Sequence, residues 1–112
     1  MSRITTHVLD TAHGRPAAGI AVSLALQTGD GWTELAAAPT DAGGRVANLL
    51  PAQVKNPAGT YRLRFDVETY FAAQGATPFY PYVEIVFQVR DSGDYHVPLL
   101  VSPFGYTTYR GS

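Results

Sequence analysis

An all-β antiparallel sandwich or barrel, built from one domain of 112 residues, is the fold that this sequence predicts. Three observations lead there. Apolar side chains recur with a period of two along most of the chain, as they do on half-buried strands. Glycine, proline and Asx residues punctuate these runs at short intervals. A single segment abandons the alternation for a pattern compatible with a helix.

Eight strands are expected in chain order, at about 3–10, 20–28, 31–38, 45–49, 60–68, 82–90, 94–102 and 105–111. The first contains Thr5, His7 and Leu9 on one face and Thr6 and Val8 on the other. In the second, Ile20, Val22, Leu24 and Leu26 alternate with smaller or polar residues. The clearest strand is Tyr61 to Glu68, where Tyr61, Leu63, Phe65 and Val67 face a core and charged residues face out. Val83, Ile85, Phe87 and Val89 repeat the pattern, as do Tyr95, Val97, Leu99 and Val101. Turns are signalled at His13–Pro16, Thr28–Gly31, Asp41–Gly44, Asn56–Gly59, Asp91–Gly93 and Ser102–Pro103. The exception is Glu68 to Gly75, where a Thr69 cap, Ala72-Ala73-Gln74 and a closing Gly75 predict a short helix near 69–75. Pro98 cannot donate to a ladder, so its N side should meet a bulge, a sheet edge or a site. The expected core contains Val22, Leu24, Leu63, Phe65, Ile85, Phe87, Val97 and Leu99.

Composition excludes several classes of function. Eight basic and nine acidic residues give a net charge of −1 with scattered arginines, which is not the footprint of a nucleic-acid binder. Without cysteine there is no disulfide framework and no thiolate chemistry. No apolar run approaches the ~18 residues that span a membrane, and the start lacks a secretory leader, so a cytoplasmic location is expected. No nucleophile elbow, zinc-binding His-Glu-x-x-His or phosphate-cradling glycine loop occurs. Two outward histidines fall short of the three protein ligands usual for catalytic zinc, so neither a metal nor another cofactor is expected. A metal shared between symmetry-related histidines of different subunits stays open.

Three histidines can be weighed individually. His7 and His96 both alternate with β-branched or aromatic residues that would take the core, so each looks out from the opposite face of its sheet. Singly, either is an ordinary surface histidine. Together with outward-facing Leu9 and Leu100, they mark a face covered by another subunit. His13 sits in a turn and is expected to be exposed and non-catalytic. Arg45 follows Asp41-Ala42-Gly43-Gly44, and its planar fork could hold an oxyanion or a urea-like ring edge. Arg62 and Arg64 read as surface charges with Asp66 and Glu68 within pairing reach. The chain ends in Tyr109-Arg110-Gly111-Ser112, directly after an apolar strand and with no polar tail. A phenol, a guanidinium and a hydroxyl beside a free carboxylate suit a terminus that projects into a site.

Four stretches carry a family resemblance. They are Ile4 to Thr11 with Gly14-Arg15-Pro16-Ala17 and Ile20, Gly44-Arg45, Phe79 to Val83 with Val86-Phe87, and Tyr95 to Leu100 with the Tyr109–Ser112 ending. Together they resemble the 5-hydroxyisourate hydrolases, the enzymatic relatives of transthyretin. The resemblance covers nearly the whole chain. It implies a transthyretin-like sandwich of two four-stranded sheets with one short helix, assembled as a homotetramer around a central channel. It implies hydrolysis of 5-hydroxyisourate, the product of urate oxidation, to 2-oxo-4-hydroxy-4-carboxy-5-ureidoimidazoline. The catalytic residues it implies are His7, Arg45 and His96, with Tyr109, Arg110, Gly111 and Ser112 contacting the substrate. Which histidine is the general base stays open. A non-catalytic carrier like transthyretin, which lacks these channel residues and the terminal tetrapeptide, is the alternative, and a purely structural sandwich is the third reading.

Overall fold

A computed structural model describes residues 2–112. Among the described residues, nine strands form two facing sheets and one helix connects two of the strands. The strands are β1 (Ile4–Asp10), β2 (Arg15–Pro16), β3 (Ala21–Thr28), β4 (Gly31–Pro39), β5 (Arg45–Val46), β6 (Gly59–Phe65), β7 (Val83–Val89), β8 (Tyr95–Ser102) and β9 (Gly105–Thr108), with helix α1 (Val67–Ala72) between β6 and β7. One sheet runs β4-β3-β6-β7 and is antiparallel throughout. The other runs β2-β1-β8-β9, and β5 also pairs with β1. β2 and β5 take successive stretches of the same edge of β1, opposite Leu9–Asp10 and Thr6–His7 respectively. The sheet is thus four strands wide although five strands contribute.

The sandwich predicted from the sequence is borne out with several corrections. β1 and β8 run parallel, with Ile4 to Asp10 opposite Tyr95 to Val101. Alternation has the same period in parallel and antiparallel strands, so direction depends on the connections rather than on the pattern. The strand expected at 45–49 is only the two-residue β5, and the chain beyond it forms a loop that buries Leu49 and Leu50. β2 was not expected. Helix α1 starts earlier than 69–75 because Asp66, not Thr69, is the cap: Asp66 accepts hydrogen bonds from the Thr69 N–H and hydroxyl. Val67 therefore belongs to the helix, where it remains buried, as does Phe71. Gly75 closes the segment at φ +75°.

Between the sheets lie Val22, Leu24, Leu63, Phe65, Ile85, Val97 and Leu99, all buried as expected, whereas Phe87 is only partly covered and stacks against Tyr61. Tyr61 is fully buried because its hydroxyl donates to the Pro57 carbonyl. On the outer face of the β4-β3-β6-β7 sheet, Arg62 and Arg64 both pair with Glu84 across β6 and β7, at 3.6 and 3.1 Å, rather than with Asp66 or Glu68. Asp66 is committed to the helix cap and Glu68 lies within the helix.

Candidate active site

The site is laid out by strand register on the outer face of the β2-β1-β8-β9 sheet. Ile4, Thr6, Val8 and Asp10 point inward, which leaves Thr5, His7 and Leu9 outside. On β8, Tyr95, Val97 and Leu99 are buried while His96 and Leu100 are half-covered on the opposite face. Paired residues share a face, so pairing generates two rows across the sheet. One row reads Thr5, His96, Gly111, and the next reads Arg45, His7, Pro98. Residues separated by 91 positions in sequence, such as Thr5 and His96, thus become nearest neighbours.

Each row has a device that holds it. Arg45 is presented by the tight turn before it. Asp41 Oδ1 accepts the N–H groups of both Gly43 and Arg45 at 2.9 Å, and the Asp41 N–H donates to the Arg45 carbonyl. Gly44 takes φ +76°, and its carbonyl accepts a hydrogen bond from the Val8 N–H at 2.7 Å. A Cβ at Gly44 would sit 2.5 Å from the Val8 carbonyl oxygen, so only glycine lets the turn close against β1. Asp41 is thus a supporting residue that sequence reading assigned only to a turn. Its signal was the Asx position ahead of two glycines.

Pro98 explains how the terminus is placed. Leu99 pairs with Thr108, and the same register continues at His96 and Gly111, which puts Pro98 opposite Tyr109. Without an N–H at Pro98 the ladder breaks there. Thr108 Oγ1 instead donates to the Pro98 carbonyl at 2.7 Å, and pairing resumes with Gly111 N–H to the His96 carbonyl at 2.8 Å. The strand expected at 105–111 accordingly stops at Thr108 but keeps one bridge at Gly111.

A cavity of about 790 Å³ opens over these rows. Its lining includes Thr5, Asp41, Arg45, His96, Arg110, Gly111 and Ser112, with Arg3 and Asp94 at its edge. Arg3 and Asp94 neutralise each other through a 2.9 Å ion pair. Among the described residues Arg45 makes no ion pair, while Arg110 stacks over the Tyr95 ring at 4.5 Å. Two expected residues lie off this lining. His7 sits in the neighbouring row beside Arg45, and exposed Tyr109 lines a smaller recess of about 260 Å³ with Val86, Phe87 and Tyr95.

The electrostatics favour a neutral His96. Burial lowers its pKa below the ordinary 6.5, and the positive charge of Arg45 and the proximity of His7 push in the same direction, against a smaller raising effect from the Thr5 main chain. A neutral imidazole in a partly water-shielded cavity has a lone pair to use. His96 Nδ1 lies 2.7 Å from Thr5 Oγ1, a contact that sequence reading did not assign. His13 is exposed and far from this machinery in role: it pairs with Asp10 Oδ2 at 2.8 Å.

Known proteins resemble this chain along nearly its whole length. Residues 4–111 match the family model described as the HIUase/Transthyretin family. The chain is 49% identical to the 5-hydroxyisourate hydrolase of Mus musculus, covering 99% of this chain and 96% of the relative. Among solved structures it superposes on the 5-hydroxyisourate hydrolase of Klebsiella pneumoniae with a TM-score of 0.88 at 37% identity, covering the whole of both chains. It also superposes on transthyretin from Sparus aurata with a TM-score of 0.90 at 40% identity, covering 97% of this chain and 96% of that one. Shared fold, near-complete coverage and this level of identity leave one conclusion: the chain belongs to the HIUase/transthyretin family.

Proposed function

We propose that this protein is a cyclic amide hydrolase that opens 5-hydroxyisourate to 2-oxo-4-hydroxy-4-carboxy-5-ureidoimidazoline in urate degradation, with His7, Arg45 and His96 as the catalytic residues and Tyr109, Arg110, Gly111 and Ser112 as the substrate-binding terminus. The observation that carries the reading is the pair of rows that brings Arg45, both histidines and Gly111 onto one face beside a polar cavity. The curated relatives that share the chain at 39–49% identity bear the same activity in their names.

The chemistry follows from the groups available. A histidine accepts a proton from water, whose oxygen bonds to a ring carbonyl carbon of the substrate. The negative charge that develops on the carbonyl oxygen falls to Arg45, whose fork donates two parallel hydrogen bonds. The ring C–N bond then breaks, and the histidine returns its proton to the departing nitrogen. One water is consumed and the histidine ends as it began. Arg110 and the Ser112 carboxylate and hydroxyl bind the polar rim of the ring. The residues need no cofactor for this sequence of steps.

The proposal includes a single domain over 1–112 and a homotetramer in the cytoplasm. Half-covered Leu9 and Leu100 on the site face, and exposed Tyr106 in β9 and Tyr109 just after it, support assembly. The carrier reading rests on the likeness to Sparus aurata transthyretin. A carrier has no use for an imidazole held neutral beside an arginine, and that argues for the enzyme.

The test is to generate 5-hydroxyisourate by enzymatic oxidation of urate and follow its ultraviolet absorbance with and without the protein. Decay much faster than the spontaneous rate is expected. Equal rates would defeat the hydrolase reading, and saturable binding without turnover would favour the carrier.

A further inference from the structure

The Thr5 hydroxyl has no place in the mechanism so far, yet it makes the shortest contact to a catalytic imidazole. Thr5 and His96 are direct partners across the parallel β1–β8 pair, and Thr5 Oγ1 lies 2.7 Å from His96 Nδ1. On its other edge the ring meets Gly111, where a Cβ would stand 2.5 Å from His96 Cδ2. Held between Thr5 and Gly111, the ring has one nitrogen left for the cavity, Nε2.

A threonine hydroxyl can donate or accept, and the two choices give opposite tautomers. The surroundings select one. Arg45 and Arg110 line the same cavity as His96, together with Asp41, Asp94 and Ser112. Asp41 Oδ1 is taken by the Gly43 and Arg45 N–H groups, and Asp94 by Arg3. The arginine charge that acts on the ring is that of Arg45, whose guanidinium only donates. A nitrogen facing donors is better as an acceptor than as a second donor. The ring proton then belongs on Nδ1, toward Thr5.

We propose that Thr5 is a positioning residue: its Oγ1 accepts a hydrogen bond from His96 Nδ1–H, which leaves the lone pair on Nε2 toward the cavity and gives the general-base role to His96 rather than His7. This deepens the hydrolase reading and rests on it. The raising influence of the Thr5 main chain on His96 has the same sense, since a carbonyl can only accept from the ring. His7, one row away between Arg45 and Pro98, is off the cavity lining and serves to tune and orient its neighbours. In the step itself, the water proton passes to Nε2, the water oxygen bonds to the carbonyl carbon, and the same proton later leaves with the ring nitrogen.

The experiment compares wild type with Thr5→Val, Thr5→Ala and Thr5→Ser, and reads the His96 ring nitrogens by ¹⁵N NMR above their titration, His96→Asn identifying the resonances. Partners that orient an imidazole typically contribute about 10–100-fold. Thr5→Val should therefore lower kcat by about that factor with KM little changed, and Thr5→Ser should restore most of it. Wild type should show the proton on Nδ1. An unchanged kcat in Thr5→Val, a serine variant as slow as the valine one, a loss confined to KM, or a proton on Nε2 would each overturn the proposal. If valine prevents folding, the alanine variant and the wild-type spectrum carry the test. If wild type itself fails to hydrolyse 5-hydroxyisourate, the functional reading falls, while the nitrogen shifts still decide the tautomer.

Discussion

Gly111 lies against the imidazole of His96 so closely that no side chain fits between them: a Cβ there would stand 2.5 Å from Cδ2 and 3.2 Å from Cγ. Its N–H donates to the His96 carbonyl at 2.8 Å, so the same residue both anchors the terminus to β8 and walls in the ring. Gly111→Ala should therefore displace the imidazole while leaving the two-sheet core intact. Misplacing a catalytic group by about 1 Å can cost on the order of 10²-fold in rate. Turnover should fall by about that factor with an unchanged β-sheet circular dichroism spectrum. Full activity in the alanine variant would mean that His96 does not need this wall.

Removing Tyr109 to Ser112 takes away that wall together with Arg110 and the terminal carboxylate. Turnover should collapse although the deletion lies outside every regular strand. Oligomeric state has to be measured in parallel, because assembly stabilises the folded state by mass action. A truncated tetramer with normal turnover would exclude the tetrapeptide from the site.

His96→Asn, His7→Asn and Arg45→Ala should each lower turnover, the first by about 10²–10⁴-fold as expected for loss of a general base. His13→Asn should leave turnover unchanged, since His13 faces Asp10 rather than the cavity.

The pH dependence follows from the lowered pKa of His96. Its neutral, proton-accepting form persists below the ordinary 6.5, so the acid limb of kcat/KM should fall below that value. For stability the sign is the same: the unfolded chain binds the His96 proton more readily. The contribution is therefore present above about 6.5 and is lost as pH drops toward the folded value. Arg45→Ala removes one cause of the shift, and an NMR titration should then find His96 moved upward. A titration unmoved by that substitution would show that Arg45 does not act on the ring.

Asp10 offers a test of stability away from the site. Its carboxylate is buried, and it accepts hydrogen bonds from the Ala12 and His13 N–H groups, the His13 ring and the Tyr70 hydroxyl. Burial pushes its pKa up, but the hydrogen bonds from Tyr70 and His13 outweigh this and hold it below the ordinary 3.8. Tyr70→Phe should cost about 1.5–3 kcal/mol in urea unfolding, the range for a hydrogen bond to a charged group. Stability from Asp10 is present above about 3.8 and is lost as pH falls through the lower folded value.

Light scattering should give a mass near four times the 12.0 kDa subunit. A monomer at micromolar concentration would separate the site from any subunit interface.

Much of this was legible in residue order. Alternation along Tyr61, Leu63 and Phe65 and along Tyr95, Val97 and Leu99 identified core strands, and the same logic put His7 and His96 on the outer face. The helix boundary was misjudged because Thr69 and Asp66 are both good caps, and only the backbone decides which one turns the chain. Alternation put Asp66 and Glu68 within pairing reach of Arg62 and Arg64, but a strand-to-helix transition intervenes, and Glu84 across the ladder is the partner.

What the sequence determined by itself was the fold class, the faces of its strands and the residue types able to do hydrolytic chemistry, because a period of two and turn-forming residues act locally. What only the tertiary structure decided was adjacency. The parallel direction of β1 and β8 sets Thr5 beside His96, the break at Pro98 returns Gly111 to the same row, and the Gly44 turn swings Arg45 next to His7. These relations join residues from opposite ends of the chain. Strand pairing over such separations depends on how the connections cross between sheets, and no local pattern encodes that crossing.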